Sequence, residues 1–249
     1  MPLRRALESS IPEARARLVP AGVELYRQGE CCDSYFAVLN GWVALSVCLE
    51  NGSSQILDFL TTGAFLGLRA GSKPEAEGMY HSARCLTEVL VRAYPRETLD
   101  QRITATPGLA YLLCRQLSGD EARAHDRLVS LGVRSAKERV AHLLLDLCRR
   151  LRPGLPLIRG DVVQLPLSQI RMGEAVGLTN VHVSRTLRVL REENVVDLSN
   201  GKLTILDPVA LMKAAGEDWR HGPASPSREM RQERSKPPFA ARPVQCLQA

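Results

Sequence analysis

The apolar positions of this chain change period along its length, and each change marks a different kind of element. From Val23 to Tyr94, short segments alternate apolar and polar residues: Tyr35 to Leu39, Trp42 to Leu49, Gln55 to Leu60, Ala64 to Leu68, Ala83 to Thr87 and Glu88 to Tyr94. A period of two puts every second side chain on one face of a strand. Asn40-Gly41 and Asn51-Gly52 fall between segments, where the positive φ angles that Asn-Gly supplies close a tight hairpin. Short strands punctuated in this way predict a sandwich or β-roll.

After Pro107 the period becomes helical. Ala110, Cys114, Leu117, Glu121, Ala124, Leu128 and Leu131 follow at alternating spacings of three and four, a heptad seam about three heptads long. Two readings fit. The helix dimerises through Cys114, Leu117, Ala124, Leu128 and Leu131, or it packs as one amphipathic helix on its own β-domain; the regular seam favours the dimer. Gly132 is expected to break the helix. Ser135-Ala136-Lys137-Glu138 then has the form of a capping box, in which serine and glutamate satisfy free amides reciprocally. The helix it opens carries Val140, Leu143, Leu144 and Leu147 on its apolar face and runs to Leu151, ahead of Pro153-Gly154.

A short apolar segment, Val162 to Leu167, precedes a helix-turn-helix pattern over Leu167 to Leu187. A hairpin follows, Val195 to Leu198 and Lys202 to Leu206 across Asn200-Gly201. In the helix-turn-helix, Ser168 caps the first helix, and Met172, Val176, Leu178 and Val183 lock two helices at a steep angle. Gly173 is small where the helices approach, Gly177 takes the positive φ that ends the first helix, and Thr179 or Asn180 caps the second.

The second helix of such a motif enters the major groove, so its early outward residues matter most. These are Asn180, Val181, Ser184 and Arg185. Arg185 is the one long, fixed-charge fork among them, suited to bidentate contact with guanine O6 and N7; its alternatives are a phosphate contact or a salt bridge to Glu192 or Glu193. Asn180 and Ser184 can meet a base edge, and Val181 a thymine methyl. Gln169, Arg188, Arg191, Lys202 and Ser199 are placed for the phosphate backbone, which positions without reading sequence. His182 either reaches phosphate or packs on the neighbouring helix, and packing is the preferred reading.

Composition narrows the class. With 249 residues, 45% of them hydrophobic, the chain has room for two modest domains. The expected fold is α+β. Residues 1–106 form a β-roll, 107–132 a dimerisation helix, 133–218 a winged helix-turn-helix, and 219–249 a disordered basic, Pro-rich tail. The first residues lack a signal-like apolar stretch and no run is long enough to span a bilayer, so a soluble, cytoplasmic protein without a membrane partner is expected. The seven cysteines lack paired metal-ligand spacings and read as reduced thiols, mostly core, with no metal or cofactor expected. Cys31-Cys32 is open to two readings, a redox sensor or a buried pair of small hydrophobes.

The net charge of +6 is unevenly placed. Lys and Arg stand at 14 against 15 Asp and Glu in residues 1–132, 14 against 10 in 133–220, and 5 against 2 in 221–249. The excess lies entirely in the C-terminal part, as expected where that part faces a polyanion.

Taken together, the chain resembles the Crp/Fnr superfamily of bacterial transcription regulators over about residues 20–215. Gly22 to Glu30 and Asp33 to Val43 are similar to the first strands of that family's cyclic-nucleotide-binding-like β-roll, which the resemblance implies for residues 1–106, Arg134 to Ala141 to the entry of its DNA-binding domain, and Val183 to Leu187 and Gly201 to Asp207 to its recognition helix and wing. The resemblance implies a homodimer on an inverted repeat of double-stranded DNA, with RNA polymerase as promoter partner. Where cyclic-AMP receptors of the family carry Gly-Glu-Leu and Arg-Ser, this chain has Gly67-Leu68-Arg69 and His81-Ser82, so cyclic AMP is not expected. No cysteine precedes Cys31, and Arg92 stands where the oxygen-sensing members have their distant fourth ligand, so no iron–sulfur cluster is expected. Val181 replaces a usual glutamate, which removes an acceptor for cytosine N4. The rival class is a small-ligand module whose C-terminal domain makes protein contacts; an enzyme finds no support in the histidine spacings.

Overall fold

The computed structural model describes residues 2–68 and 78–217. Its N-terminal part contains helix α1 (Pro2–Ser10), strands β1 (Ala16–Val19), β2 (Glu24–Tyr26), β3 (Ser34–Asn40), β4 (Val43–Cys48), β5 (Ser54–Leu60), β6 (Phe65–Leu66), β7 (Ser82–Cys85) and β8 (Val89–Pro95), and helix α2 (Arg96–Ala105). Helix α3 (Pro107–Val133) leads to α4 (Ala136–Leu151), β9 (Val162–Gln164), α5 (Gln169–Val176), α6 (Asn180–Glu192), β10 (Val196–Ser199), β11 (Lys202–Ile205) and α7 (Pro208–Ala214). The tail from residue 219 and Arg69 lie outside the described residues.

The β-roll is two four-stranded antiparallel sheets, β1-β8-β3-β6 and β2-β7-β4-β5. Every one of the six alternating segments becomes a strand. Asn51-Gly52 closes the β4–β5 hairpin, where Cys48 pairs with Ser54. Asn40-Gly41 does not close one: β3 and β4 belong to different sheets, so this turn carries the chain across the roll. Between the sheets lie Phe36, Val38, Val43, Leu60, Ala83, Cys85, Val89 and Val91. A separate core under α1 joins Leu3, Leu7 and Ile11 to Tyr35, Phe65, Tyr94, Leu99 and Leu109.

Alternation gives β4 and β5 a second apolar face. Trp42, Ala44, Ile56 and Phe59 share one core with Leu143, Leu144, Leu147 and Cys148 of α4. The β-roll and the C-terminal domain therefore join through packed side chains. Full burial of a large apolar side chain such as Phe59 contributes about 1.5–3 kcal/mol. Helix α3 runs through Gly132 and ends at Val133, because nothing crowds that glycine and the backbone turns extended only at Arg134. The Ser135 side chain then accepts from the Glu138 amide while the Glu138 carboxylate accepts from the Ser135 amide at 2.7 Å, completing the capping box that starts α4. Among the described residues, no helix is long and apolar enough to cross a membrane.

The six cysteines among the described residues divide evenly rather than lying mostly in the core: Cys32, Cys85 and Cys148 are buried, and Cys31, Cys48 and Cys114 exposed, while Cys246 lies outside the described residues. Cys32 Sγ donates to the Ser34 carbonyl at 3.2 Å, so the adjacent pair points to two environments.

At the junction of α3 and α4, His142 is buried with Nε2 2.7 Å from Asp126 Oδ2. Burial lowers the imidazole pKa, and Asp126 offsets this only in part while Arg134 adds to it. A histidine held neutral in the fold stabilises fully above its unfolded pKa and loses that contribution as pH falls below about 6.5. The Tm is therefore expected to drop from about pH 7.5 to about pH 5.5, and His142→Asn to make that slope shallower. His81, also lowered by burial, keeps some slope in the variant. An unchanged slope in thermal melts contradicts this account of His142.

Candidate nucleic-acid interface

Helix α5 starts where the Ser168 hydroxyl accepts from the Arg171 amide at 3.3 Å, and it ends at Gly177 with φ 66°. The left-handed conformation at Gly177 turns the chain within two residues. Thr179, rather than Asn180, caps α6: its hydroxyl accepts from the His182 amide at 3.2 Å. Gly173 is needed for close approach, since a Cβ there would overlap the Leu178 carbonyl oxygen, and the Leu178 amide donates to the Gly173 carbonyl at 3.0 Å. Met172, Val176 and Val183 are buried between the helices and α4.

Helix α6 turns one face inward with Val183, Thr186 and Leu190, and the other to solvent. Asn180, Val181, Ser184 and Arg185 are all exposed on that outer face, Val181 at 53%. The alternative ion pair of Arg185 is not formed. Glu192 takes Arg188 at 2.8 Å, Glu193 takes Lys137, and Arg185 has no ion-pair partner among the described residues. His182, expected to pack on the neighbouring helix, is exposed instead, because the inward slots are filled by Val183 and Thr186.

Of the backbone candidates, Gln169, Arg188, Arg191, Lys202 and Ser199 are all exposed. Arg188 is held by Glu192. Arg191 Nε lies 2.6 Å from Asp197 Oδ1, and its Nη2 donates to Ser199 Oγ at 3.1 Å. Ser199 in turn donates to Asp197, so helix and wing are tied together. The wing is the antiparallel sheet β10-β11-β9, and its tip turns through Asn200 and Gly201 with φ 53° and 71°, the paired positive angles of a tight hairpin. Lys202 and Ser199 flank that tip.

The seam of α3 is open. Cys114, Leu117, Glu121, Ala124 and Leu128 are exposed, Leu128 at 67%, while Leu131 packs toward the turn at Gly177. Packing on the β-domain uses another face, with Leu109, Leu112 and Leu113 in the core under α1.

A cavity of about 240 Å³ lies between the roll and α3, lined by Tyr26, Leu57, Leu66, Leu68, His81 and Asp120 among others. Tyr26 Oη is 2.9 Å from His81 Nε2, and burial keeps His81 neutral. Arg127, the guanidinium lining the cavity, is already paired with Asp58. Two carboxylates and a neutral imidazole make a poor seat for a cyclic phosphate, so the described residues do not fit a cyclic nucleotide.

Comparison with known proteins agrees with this architecture. The Crp-like helix-turn-helix domain model matches residues 138–214, and the cyclic nucleotide-binding domain model matches residues 16–105. A β-roll, a long helix and a winged helix-turn-helix in this order define a DNA-binding transcription regulator. The chain belongs to the Crp/Fnr family. It is 32% identical to the nitrogen fixation regulation protein FixK of Rhizobium meliloti over 206 residues, 80% of this chain and 88% of that one. It is 29% identical to the transcriptional activator protein Anr of Pseudomonas protegens over 205 residues, 81% of each. The structure of FixK2 from Bradyrhizobium japonicum superposes with a TM-score of 0.71 at 26% identity, covering 81% of this chain and 96% of that one.

The close approach at Gly173 gives a direct test of the motif. Gly173→Ala is expected to cost about 1–3 kcal/mol by overpacking. Gly132→Ala, in open helical space, is expected to gain about 0.5–1 kcal/mol. Denaturant melts showing equal effects would contradict the packing described here.

Proposed function

We propose that the chain acts as a cytoplasmic homodimer that reads an inverted repeat with two copies of α6 and works with RNA polymerase at promoters. Its division of labour is a β-roll over residues 1–106, a dimer helix over 107–132 and a DNA-reading domain over 133–218. The observation that carries this reading is the outer face of α6, where Arg185 stands exposed and without an ion-pair partner among the described residues. Arg185 reads a guanine, with Asn180, Ser184 and Val181 contacting adjacent base edges. Gln169 at the start of α5, Arg188, Arg191, and Lys202 and Ser199 at the wing hold phosphates. The exposed salt bridges of Arg188 and Arg191 exchange for phosphate at little cost, since such pairs contribute little in water.

The dimer rests on the open stripe of α3. Pairing two copies through Cys114, Leu117, Ala124, Leu128 and Leu131 covers four side chains that the single chain leaves in water, together with the half-buried Leu131. It also relates the two copies of α6 by a two-fold axis, which is what an inverted repeat requires.

Selection of duplexes from a random pool at physiological salt, with wild type and Arg185→Ala in parallel, tests the reading. The expected product is an inverted repeat with half-site centres about 34 Å apart, containing a guanine whose preference the variant loses at a cost of about 1–3 kcal/mol. A folded, dimeric wild type that enriches no repeat overturns it. Lys202→Ala is expected to weaken binding on all sequences and to reduce the log–log salt slope by about one; a change in base preference would contradict its phosphate role. Leu128→Glu is expected to give monomers in sedimentation, and a dimer of unchanged strength would rule out this seam.

A further inference from the structure

The strand that faces α4 carries one charged group where its neighbours are apolar. Asp58 of β5 has a side chain only 15% exposed, and three guanidinium groups from two helices converge on it. Its Oδ1 accepts from Arg150 Nη1 of α4 at 2.9 Å and pairs with Arg127 of α3, while its Oδ2 lies 3.9 Å from Arg123 Nε. Arg150 Nη1 also donates to the Phe59 carbonyl at 2.7 Å, and its Nη2 lies 2.8 Å from Asp146. Burial raises the Asp58 pKa, but the charges of Arg150, Arg127 and Arg123 outweigh it and hold the carboxyl below its usual range, so it is ionised at neutral pH. At the other end of the same strand, Gln55 Nε2 donates to the Ala175 carbonyl of α5 at 3.4 Å. One strand thus grips the dimer helix, the entry helix and the first helix of the helix-turn-helix.

We propose that Asp58 is a positioning residue for DNA recognition: by joining Arg127 of α3 to Arg150 of α4 it fixes the recognition helix relative to the dimer helix, and so fixes the half-site spacing that the protein accepts. This rests on the dimeric reading given above. Removing the carboxylate leaves two buried guanidinium groups short of a partner, and the joint between the domains loosens. A loose joint costs affinity on the preferred repeat, because the two reading heads must be ordered on binding. It also lets them reach a neighbouring spacing.

The test uses the full chain as wild type, Asp58→Asn and Gln55→Ala; the last removes only a hydrogen bond at the edge of the joint and keeps the test open if Asp58→Asn fails to fold. Affinities are measured for the selected repeat, for the same repeat with its spacer one base pair longer or shorter, and for a single half-site. Wild type is expected to prefer its own spacer by about tenfold or more. Asp58→Asn is expected to bind the preferred repeat about tenfold more weakly, to discriminate spacers by no more than about twofold, and to bind the half-site as wild type does. Gln55→Ala is expected to move the same way by less. Unchanged spacer discrimination in the folded variants overturns the inference, as does an equal loss on every duplex, half-site included. A wild type indifferent to spacer rejects the dimeric reading itself, and the inference with it, before any variant is compared.

Discussion

The sheet β2-β7-β4-β5 has two apolar faces, and covering the second one organises the molecule. Val43, Leu60, Ala83 and Cys85 point into the roll, while Trp42, Ala44, Ile56 and Phe59 on the other side share a core with α4. A strand pair so patterned cannot stay in water on either side without a large hydrophobic cost. The helix that covers it is the one whose capping box opens the DNA-binding domain, so the reading head is seated on the β-roll by the same burial that completes the roll. Asp58 lies within that seat, where a lone carboxylate would be costly and three guanidinium groups make it tolerable.

With the domains joined, the functional surfaces separate cleanly. Helix α6 buries Val183, Thr186 and Leu190 and leaves Arg185 and its neighbours to solvent. Helix α3 spends one face on the core under α1, another on Asp58, and leaves its heptad stripe open. Among the described residues, the cavity between the roll and α3 makes a poor seat for a cyclic nucleotide: Arg127 is paired, His81 is neutral, and Asp120 adds a carboxylate.

Local chemistry was the legible part of the sequence. The capping box at Ser135 and Glu138, the turn at Gly177, the close approach at Gly173 and the Asn200-Gly201 wing tip each depend on a few neighbouring residues, and each forms as read. Pairings between distant residues were not legible. Asn40-Gly41 has hairpin chemistry yet joins two sheets, because register is decided by strands far along the chain. Helix α1 escaped notice although Leu3, Leu7 and Ile11 fall four apart, for its partners Tyr35, Tyr94 and Leu99 are remote. Asp58 sits at a polar position of the alternating segment Gln55 to Leu60, and no neighbour in sequence distinguishes it. Only its placement against Arg150, 92 residues on, gives it a role.

Hydroxyl-radical footprinting of the full chain on its selected duplex tests the central claim most directly, because it reports where the reading heads lie along the helix. Two protected patches on one face of the DNA, related by two-fold symmetry and about 34 Å apart, are the expected result. A single patch, or protection running continuously around the duplex, would contradict a dimer that reads successive major grooves with two copies of α6.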